Sequence, residues 1–217
     1  LDASTSIRAK STALQRYFRA APAADAAWAL YFLAGGRPRR LLPTAVLRSA
    51  ALAVSGLPAW LFEECYQSVG DLAETIALLL DDAPSGDSGS LADWMQDALL
   101  PLRGLAPAEQ AARVTALWGQ LDAGGRFVFN KLITGGFRVG VSRQLVLRAL
   151  AAAFARDEHT LAQRIIGYTA GDARPDAQAF LALIGDAAEQ GGAHPLSAAQ
   201  PYPFFLAQPL QQDPASL

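Results

Sequence analysis

Three glycines, an arginine and a serine lie close together within the run KLITGGFRVGVS at residues 131–142. Gly135, Gly140 and Ser142 match three positions of the phosphate-loop pattern G-x-x-x-x-G-K-[ST], in which backbone amides cradle a phosphate. Val141 stands where that pattern has the lysine that neutralises the phosphates, and the apolar spacing before the run predicts a helix instead of the required buried strand. We therefore exclude a nucleotide-binding loop.

The same residues suit a phosphate of another kind. Glycines allow a partner to approach the backbone closely, and Ser142 is placed to cap a following helix, whose first amides would face an anion. Arg138 and Arg143 add positive charge beside that helix start. Together these features predict contact with a phosphodiester backbone. The segment alone leaves an alternative open. It could be an ordinary corner between two helices, in which the glycines only end the helices.

A second basic cluster follows another pair of glycines. Gly35 and Gly36 come directly before Arg37, and Arg39 and Arg40 follow one residue later. The surrounding pattern places this cluster on a loop between two helices. Two glycine-bearing loops that both carry arginines favour phosphate contact over two unrelated corners.

Charge is unevenly distributed along the 217 residues, although the 18 basic and 20 acidic side chains give a net charge of only −2. Residues 1–48 hold eight basic and two acidic side chains, and residues 126–164 hold seven and two. Residues 63–122 instead hold two basic and eleven acidic side chains, and residues 165–217 hold one and five. The two basic segments can fold to form one positive face. Alternatively, the blocks interleave and pair off on the surface.

Most catalytic classes lack the residues they need. The two histidines, His159 and His194, have no cysteine or carboxylate at a metal-ligand spacing, so no metal site is predicted. Cys65 is the only cysteine and cannot form an internal disulfide, which predicts a reduced, cytoplasmic setting, and we interpret it as a core thiol. No apolar run approaches the roughly 18 residues of a membrane span.

The apolar spacing is helical almost everywhere and predicts an all-α fold, an irregular multi-helix domain. Asp71 begins one amphipathic helix with a capping-box pattern, and Asp157 caps another. The acidic, glycine-rich segment 81–90 is predicted to be a loop that could join two helical lobes. All four tryptophans fall within helical apolar spacing and are predicted to lie in the core: Trp28, Trp60, Trp94 and Trp118. The other predicted helices cover residues 5–20, 23–34, 43–55, 58–69, 91–100, 107–121, 124–134, 142–155 and 175–184.

Four segments, by their order and spacing, resemble the amino-terminal DNA-binding domain of ATP-dependent DNA ligases, in particular the bacterial enzymes that share it with archaeal and eukaryotic replicative ligases. The segments are 34–38 (AGGRP), 66–75 (YQSVGDLAET), 130–142 and 201–204 (PYPF). The likeness extends over nearly the whole chain. It implies an all-helical DNA-binding domain over residues 1–200. An exit linker over residues 201–217 would lead towards a nucleotidyltransferase domain that is absent from this sequence.

The resemblance also implies which residues face DNA. In such ligases the interhelical loops contact the minor groove and the phosphates. Gly135, Arg138, Gly140 and Ser142 occupy the DNA-facing positions, whereas Gly136 stands where some relatives carry a basic residue. The remaining candidates for DNA contact rest on charge and loop position: Lys131, Arg143, Arg37, Arg39 and Arg40.

Ligases of this family begin catalysis by adenylylating a lysine in a K-x-D-G motif. Lys10 and Lys131 are the only lysines here, and neither is followed by x-Asp-Gly. The chain is therefore expected to have no catalytic residue of its own, while the parent ligase uses ATP and Mg²⁺ in repair, recombination or replication. Its expected partners are nicked double-stranded DNA, whose ends it would hold in line, and the catalytic domains of the same parent chain. The alternative is a helical protein-interaction module that does not bind DNA.

Overall fold

The computed structural model describes residues 5–81, 89–135, 140–169 and 174–185. Every regular element within these ranges is helical, which confirms the all-α prediction. The α-helices, in chain order, are α1 (Ile7–Ala20), α2 (Ala23–Leu33), α3 (Thr44–Ser55), α4 (Ala59–Val69), α5 (Leu72–Leu79), α6 (Leu91–Asp93), α7 (Pro107–Trp118), α8 (Ala123–Thr134), α9 (Arg143–Phe154), α10 (Glu158–Arg164) and α11 (Ala177–Ile184).

The helical path that begins with α6 changes its geometry along its length. It continues as a π-helical segment over Trp94–Leu99 and then as a 3-10 turn over Leu100–Leu102. The amide of Leu100 donates to the carbonyl of Met95, five residues back. Pro101 has no amide hydrogen, so ordinary α-helical bonding cannot continue through it. The predicted helix over 91–100 is thus helical but not regular.

Side-chain caps and glycines set many of the helix boundaries. Asp71 accepts a hydrogen bond from the amide of Glu74 (3.0 Å), and Asp157 accepts one from the amide of Thr160 (2.7 Å). These bonds satisfy amides that have no partner within the first turn, which confirms both predicted caps. Gly70 ends α4 in the left-handed conformation (φ +76°), a conformation that glycine adopts without a steric cost.

The helices pack around two groups of buried side chains. The larger core lies among α2–α8 and includes Tyr31, Phe62 and Ile76. The smaller core joins α1, α9, α10 and α11 to the other side of α2. Tyr168 packs against both cores and donates its hydroxyl to the carbonyl of Ala27 (3.0 Å). Helix α2 is therefore shared by the two cores, and the smaller core draws on both ends of the described chain.

The structure corrects the proposed division of the helices into lobes near residues 81–90. Leu80, before this segment, and Ala92, after it, belong to the same core. The described helices all fall within one compact unit, Leu1–Ile184. Of the second unit, Gly185–Leu217, only Gly185 is described, so the predicted domain boundary at residue 200 stays a prediction.

The prediction for the tryptophans is wrong at one position. Trp28 and Trp118 are fully buried and Trp94 is partly buried, whereas the side chain of Trp60 is 67% exposed. Trp60 lies in the first turn of α4, and Phe62 is the residue of that helix that enters the core. Cys65, on the same helix, is only partly buried and is not a core thiol.

No single helix in the described ranges has the length and hydropathy needed to cross a membrane. Helices α3 and α4 have the required length and hydropathy only when taken together, and they are bent by 115° at the break between them.

Candidate nucleic-acid interface

The first glycine-arginine loop begins at the end of α2. Gly35 has a φ of +97°, and the amide of Gly36 donates to the carbonyl of Tyr31 (2.7 Å). A Cβ atom on Gly36 would lie 2.6 Å from that carbonyl oxygen and 2.7 Å from the Tyr31 ring. Only glycine fits at position 36, and the positive φ at position 35 also favours glycine. The two glycines therefore form the turn that follows α2. Their turn sends the chain directly into Arg37.

The arginines of this loop lie between two anchor points. On one side Gly36 packs against Tyr31, and on the other the side chain of Leu41 is buried in the larger core. Arg37, Arg39 and Arg40 lie between them and are exposed. The anchors fix the backbone, while the three guanidinium groups extend from it.

Arg103 was not among the predicted site residues, yet it holds this loop. It follows the 3-10 turn, and its guanidinium donates to the carbonyl of Arg39 (2.8 Å). The contact spans 64 residues of sequence. No local sequence pattern indicates such a pairing, because a backbone carbonyl leaves no trace in the residue types.

The second loop begins at the end of α8. Gly135 ends the helix in the left-handed conformation (φ +73°), and its amide donates to the carbonyl of Lys131 (2.9 Å). Asn130 fixes this end from inside the larger core, where its side-chain oxygen accepts a hydrogen bond from the indole of Trp118 (2.9 Å). Gly136 and Arg138 lie outside the described residues, so their predicted roles stay predictions.

The loop ends at the start of α9, where Ser142 forms the predicted cap. Its hydroxyl oxygen accepts from the amide of Leu145, and its carbonyl accepts from the amide of Val146, both at 3.1 Å. The two earlier amides of the helix, those of Arg143 and Gln144, have no partner within the described residues. Arg143 itself is exposed. Unpaired amides beside a cation favour an anion at a helix start.

The structure brings the two loops together. The Cδ atom of Arg37 lies 3.9 Å from the position that a Cβ atom would take on Gly135. Residues about 100 positions apart in sequence thus share one surface. We use the name loop face for the described DNA-contact candidates of the two loops, which are Arg37, Arg39, Arg40, Gly135, Gly140, Ser142 and Arg143.

Few ion pairs neutralise the basic segments. Within the described residues, the pairs are Arg48–Glu63, Lys131–Asp71 and Arg148–Glu158. None of them includes Arg37, Arg40 or Arg143. Among the described residues, Arg37, Arg40 and Arg143 thus keep positive charge that no described carboxylate neutralises.

Lys131 and Arg126, from the second basic segment, do not contribute to this face. Lys131 pairs with Asp71 at the start of α5, and its ammonium lies 5.2 Å from the centre of the Phe127 ring. Burial alone would raise the pKa of Asp71, but hydrogen bonds from Lys131 and from the Glu74 amide outweigh burial and lower that pKa below its usual value. Lys131 thus differs from Arg37, Arg40 and Arg143, because its charge has a carboxylate partner among the described residues.

Acidic and metal-ligating residues do not assemble into a second site within the described ranges. No group of three or more histidine, cysteine, aspartate or glutamate side chains there is arranged to hold a metal ion. The loop face remains the place where sequence-predicted residues converge.

A family model for the DNA ligase N terminus matches residues 1–151. The chain belongs to this DNA ligase family. The matched residues run from the start of the chain into α9, so they contain both loops and the whole loop face. No curated protein matches the chain. The all-helical structure agrees with the helical fold that the resemblance implied for this ligase domain.

Proposed function

We propose that this ligase domain binds nicked double-stranded DNA through its loop face, by contacts with phosphates and the minor groove and without sequence specificity. The observation that carries the proposal is the meeting of Arg37 with Gly135, which joins both glycine-arginine loops into one surface. Duplex DNA presents a phosphate charge about every 1.7 Å of its axis. A surface with several exposed arginines and open helix amides matches that pattern of charge.

The glycines of the loop face would serve this contact in a second way. Gly135 and Gly140 carry no side chain that could hold a sugar-phosphate backbone away from the protein. Contacts of this kind position a protein on the duplex without reading its bases. This fits an enzyme that has to seal breaks in any sequence.

The parent enzyme in this proposal is an ATP-dependent DNA ligase that acts in repair, recombination or replication. The reactive lysine, ATP and Mg²⁺ would belong to its nucleotidyltransferase domain, because Lys10 and Lys131 both lie outside any K-x-D-G motif. The domain described here would raise the affinity for the nick and hold the DNA ends in line, which lowers the entropic cost of joining them. Incubation with labelled ATP should accordingly leave this chain unlabelled.

A binding titration tests the proposal. The chain is titrated into labelled nicked duplex at a series of salt concentrations, and fluorescence anisotropy is followed. We expect binding at low salt, and a logarithm of affinity that falls linearly with the logarithm of salt by about 0.9 for each phosphate contacted. Arg113→Ala, which removes an exposed arginine of α7, is the matched control and should bind as the wild type does. Absence of binding at every salt concentration would favour the alternative, a protein-interaction module.

A further inference from the structure

Lys10 occupies an unusual position on α1. It is spaced four and eight residues from Leu14 and Phe18, which are buried in the smaller core, and its own side chain is only 8% exposed. Its ammonium donates a hydrogen bond of 2.9 Å to the carbonyl of Gly140, across 130 residues of sequence. A buried lysine is costly unless its charge is satisfied. The end of the side chain thus lies against the second DNA-facing loop.

Gly140 is shaped to accept this contact. Its φ of +62° suits glycine, and a Cβ atom there would lie 2.5 Å from the ammonium nitrogen of Lys10. A larger residue would therefore push the ammonium away from the carbonyl. The two residues fit each other, although no local pattern in the sequence connects them.

A second contact between the same two helices lies at their other ends. Arg19, in the last turn of α1, donates to the carbonyls of Ala152 and Ala153 near the end of α9, both at 3.0 Å. Since Lys10 binds just before the start of α9, the two helices run in the same direction. Arg19 stabilises the end of α9 that is away from the loop face, whereas Lys10 stabilises the end that belongs to it.

We propose that Lys10 is a positioning residue for DNA binding, which holds the carbonyl of Gly140 and so fixes the start of α9 for a phosphate. This inference rests on the proposed function. Lys10 acts through the loop backbone, because its ammonium is buried and donates to a carbonyl of the protein. Arg143 and the first amides of α9 then make the contact with DNA.

The first experiment compares two variants of the chain, Lys10→Met and Arg19→Met. Both remove a cation that joins α1 to α9, and both keep an unbranched apolar side chain that can replace the packing of the lysine or arginine stem. We expect Lys10→Met to weaken binding of nicked duplex about tenfold, because the free variant no longer holds the start of α9 in its binding geometry, and Arg19→Met to leave binding unchanged. Circular dichroism shows whether each variant is folded.

The salt dependence separates positioning from direct contact. If Lys10 acts through Gly140, Lys10→Met keeps the wild-type slope of affinity against salt. A slope that falls by about one phosphate would show that Lys10 contacts DNA itself, and it would overturn the proposal. Amide hydrogen exchange over residues 140–145 gives a readout without DNA, and it should become faster in Lys10→Met but not in Arg19→Met.

Gly140→Ala breaks the same contact from its other side, because the alanine displaces Lys10 while leaving it in the sequence. It therefore tests the proposal even if Lys10→Met is poorly folded, and where both variants fold, the double variant completes a double-mutant cycle. We expect Lys10→Met to cost about tenfold in affinity and Gly140→Ala at least as much, since its Cβ also stands on the DNA-facing loop. The double variant should bind about as well as Gly140→Ala alone, instead of losing a further tenfold. Full additivity would overturn the proposal. Absence of binding by the wild type refutes the proposed function, whereas wild-type binding with equal losses in Lys10→Met and Arg19→Met refutes only the role of Lys10.

Discussion

Arg126 and Arg37 have the same side chain and belong to the two basic segments, yet the structure uses them in opposite ways. Arg126 is 2% exposed, and its guanidinium donates to the carbonyls of Leu80 and Asp81 at 2.8 and 2.7 Å. It further donates to the carbonyls of Leu121 and Ala77 at 3.2 and 3.5 Å. Arg37 is exposed and has no carboxylate partner within the described residues.

The difference separates positive charge that stabilises the fold from positive charge that, in the proposed function, would contact DNA. Arg126 belongs to α8, and its guanidinium reaches the end of α5, where helix carbonyls have no partners within the helix. Its charge complements the negative end of the α5 dipole. The arginines of the first loop extend from a backbone that is already anchored at Gly36 and Leu41. Net charge alone does not distinguish the two uses. They differ in whether the guanidinium donates to carbonyls of the protein or is exposed to solvent.

The largest effect on stability is expected at Arg126. Arg126→Met would keep most of the apolar contacts but remove the hydrogen bonds to three carbonyls at the end of α5 and to the carbonyl of Leu121. We expect a loss of about 3 kcal/mol in the free energy of unfolding, because hydrogen bonds to charged groups are worth about 1.5–3 kcal/mol each and buried carbonyls would lose their partners. Urea denaturation followed by circular dichroism measures it.

Arg113→Met is the matched control for this prediction, since Arg113 is an exposed arginine on α7. Its change in stability should stay within about 0.5 kcal/mol. Equal stability of the Arg126 and Arg113 variants would contradict the assignment of Arg126 to folding. Weaker DNA binding by a folded Arg126→Met protein would contradict its separation from the loop face.

The opposite result is expected for the exposed arginines. Arg37→Ala and Arg143→Ala should each weaken binding of nicked duplex and lower the salt slope by about one, as loss of a phosphate contact does. Their stability should change by less than about 0.5 kcal/mol. Anisotropy titrations and urea denaturation measure the two properties on the same preparations. A loss of stability without a change of salt slope would place these arginines with Arg126.

The elements were predictable because their signals are local. Apolar spacing predicts the longer helices of the described residues to within a few positions, but α6 ends at Asp93 where the spacing predicts a regular helix to residue 100. Asp71, Ser142 and Asp157 cap helices as their residue types predict. The position of Trp60 was not predictable in this way. Helical periodicity does not say which stripe of α4 meets the core, and Phe62 fills that place.

The candidate loops could be selected from the sequence, whereas the contacts that support them could not. The glycine-arginine loops were recognisable from composition, and the structure joins them at Arg37 and Gly135. Lys10 and Arg103 support these loops through backbone carbonyls that lie 130 and 64 residues away. Contacts to carbonyls depend on the tertiary fold and not on the identity of the partner. Sequence reasoning therefore has no signal for them.

A smaller effect is expected at Lys131 and Asp71, whose ion pair is partly buried, unlike the fully buried Arg126 and the exposed Arg37. The pKa of Asp71 is lowered in the folded chain, so its charged form stabilises the fold above the pKa of the unfolded state, about 3.9. That contribution is lost as the pH falls through the lower, folded value. Asp71→Asn should cost less than about 1 kcal/mol at neutral pH, because the pair is partly exposed.

The pH dependence distinguishes the charge of Asp71 from its cap. The stability difference between wild type and Asp71→Asn should shrink as the pH falls from about 5 to about 2, since both side chains are then neutral. Thermal unfolding at a series of pH values measures it. Lys131→Met should show the same convergence. A difference that stays constant over this range would mean that only the helix cap matters.

The smallest effect is expected at Arg148, whose side chain is 58% exposed and lies 3.7 Å from Glu158, itself 42% exposed. Arg148→Ala should change stability by less than about 0.5 kcal/mol, because exposed pairs are screened by water and salt. It should also leave DNA affinity and the salt slope unchanged, although Arg148 shares α9 with Arg143. Anisotropy titration beside Arg143→Ala measures this. If both variants weakened binding equally, the general charge of α9 would guide DNA, and the distinction between loop arginines and the rest would fail. If only Arg143→Ala does so, the position of the arginine at the loop face decides its role.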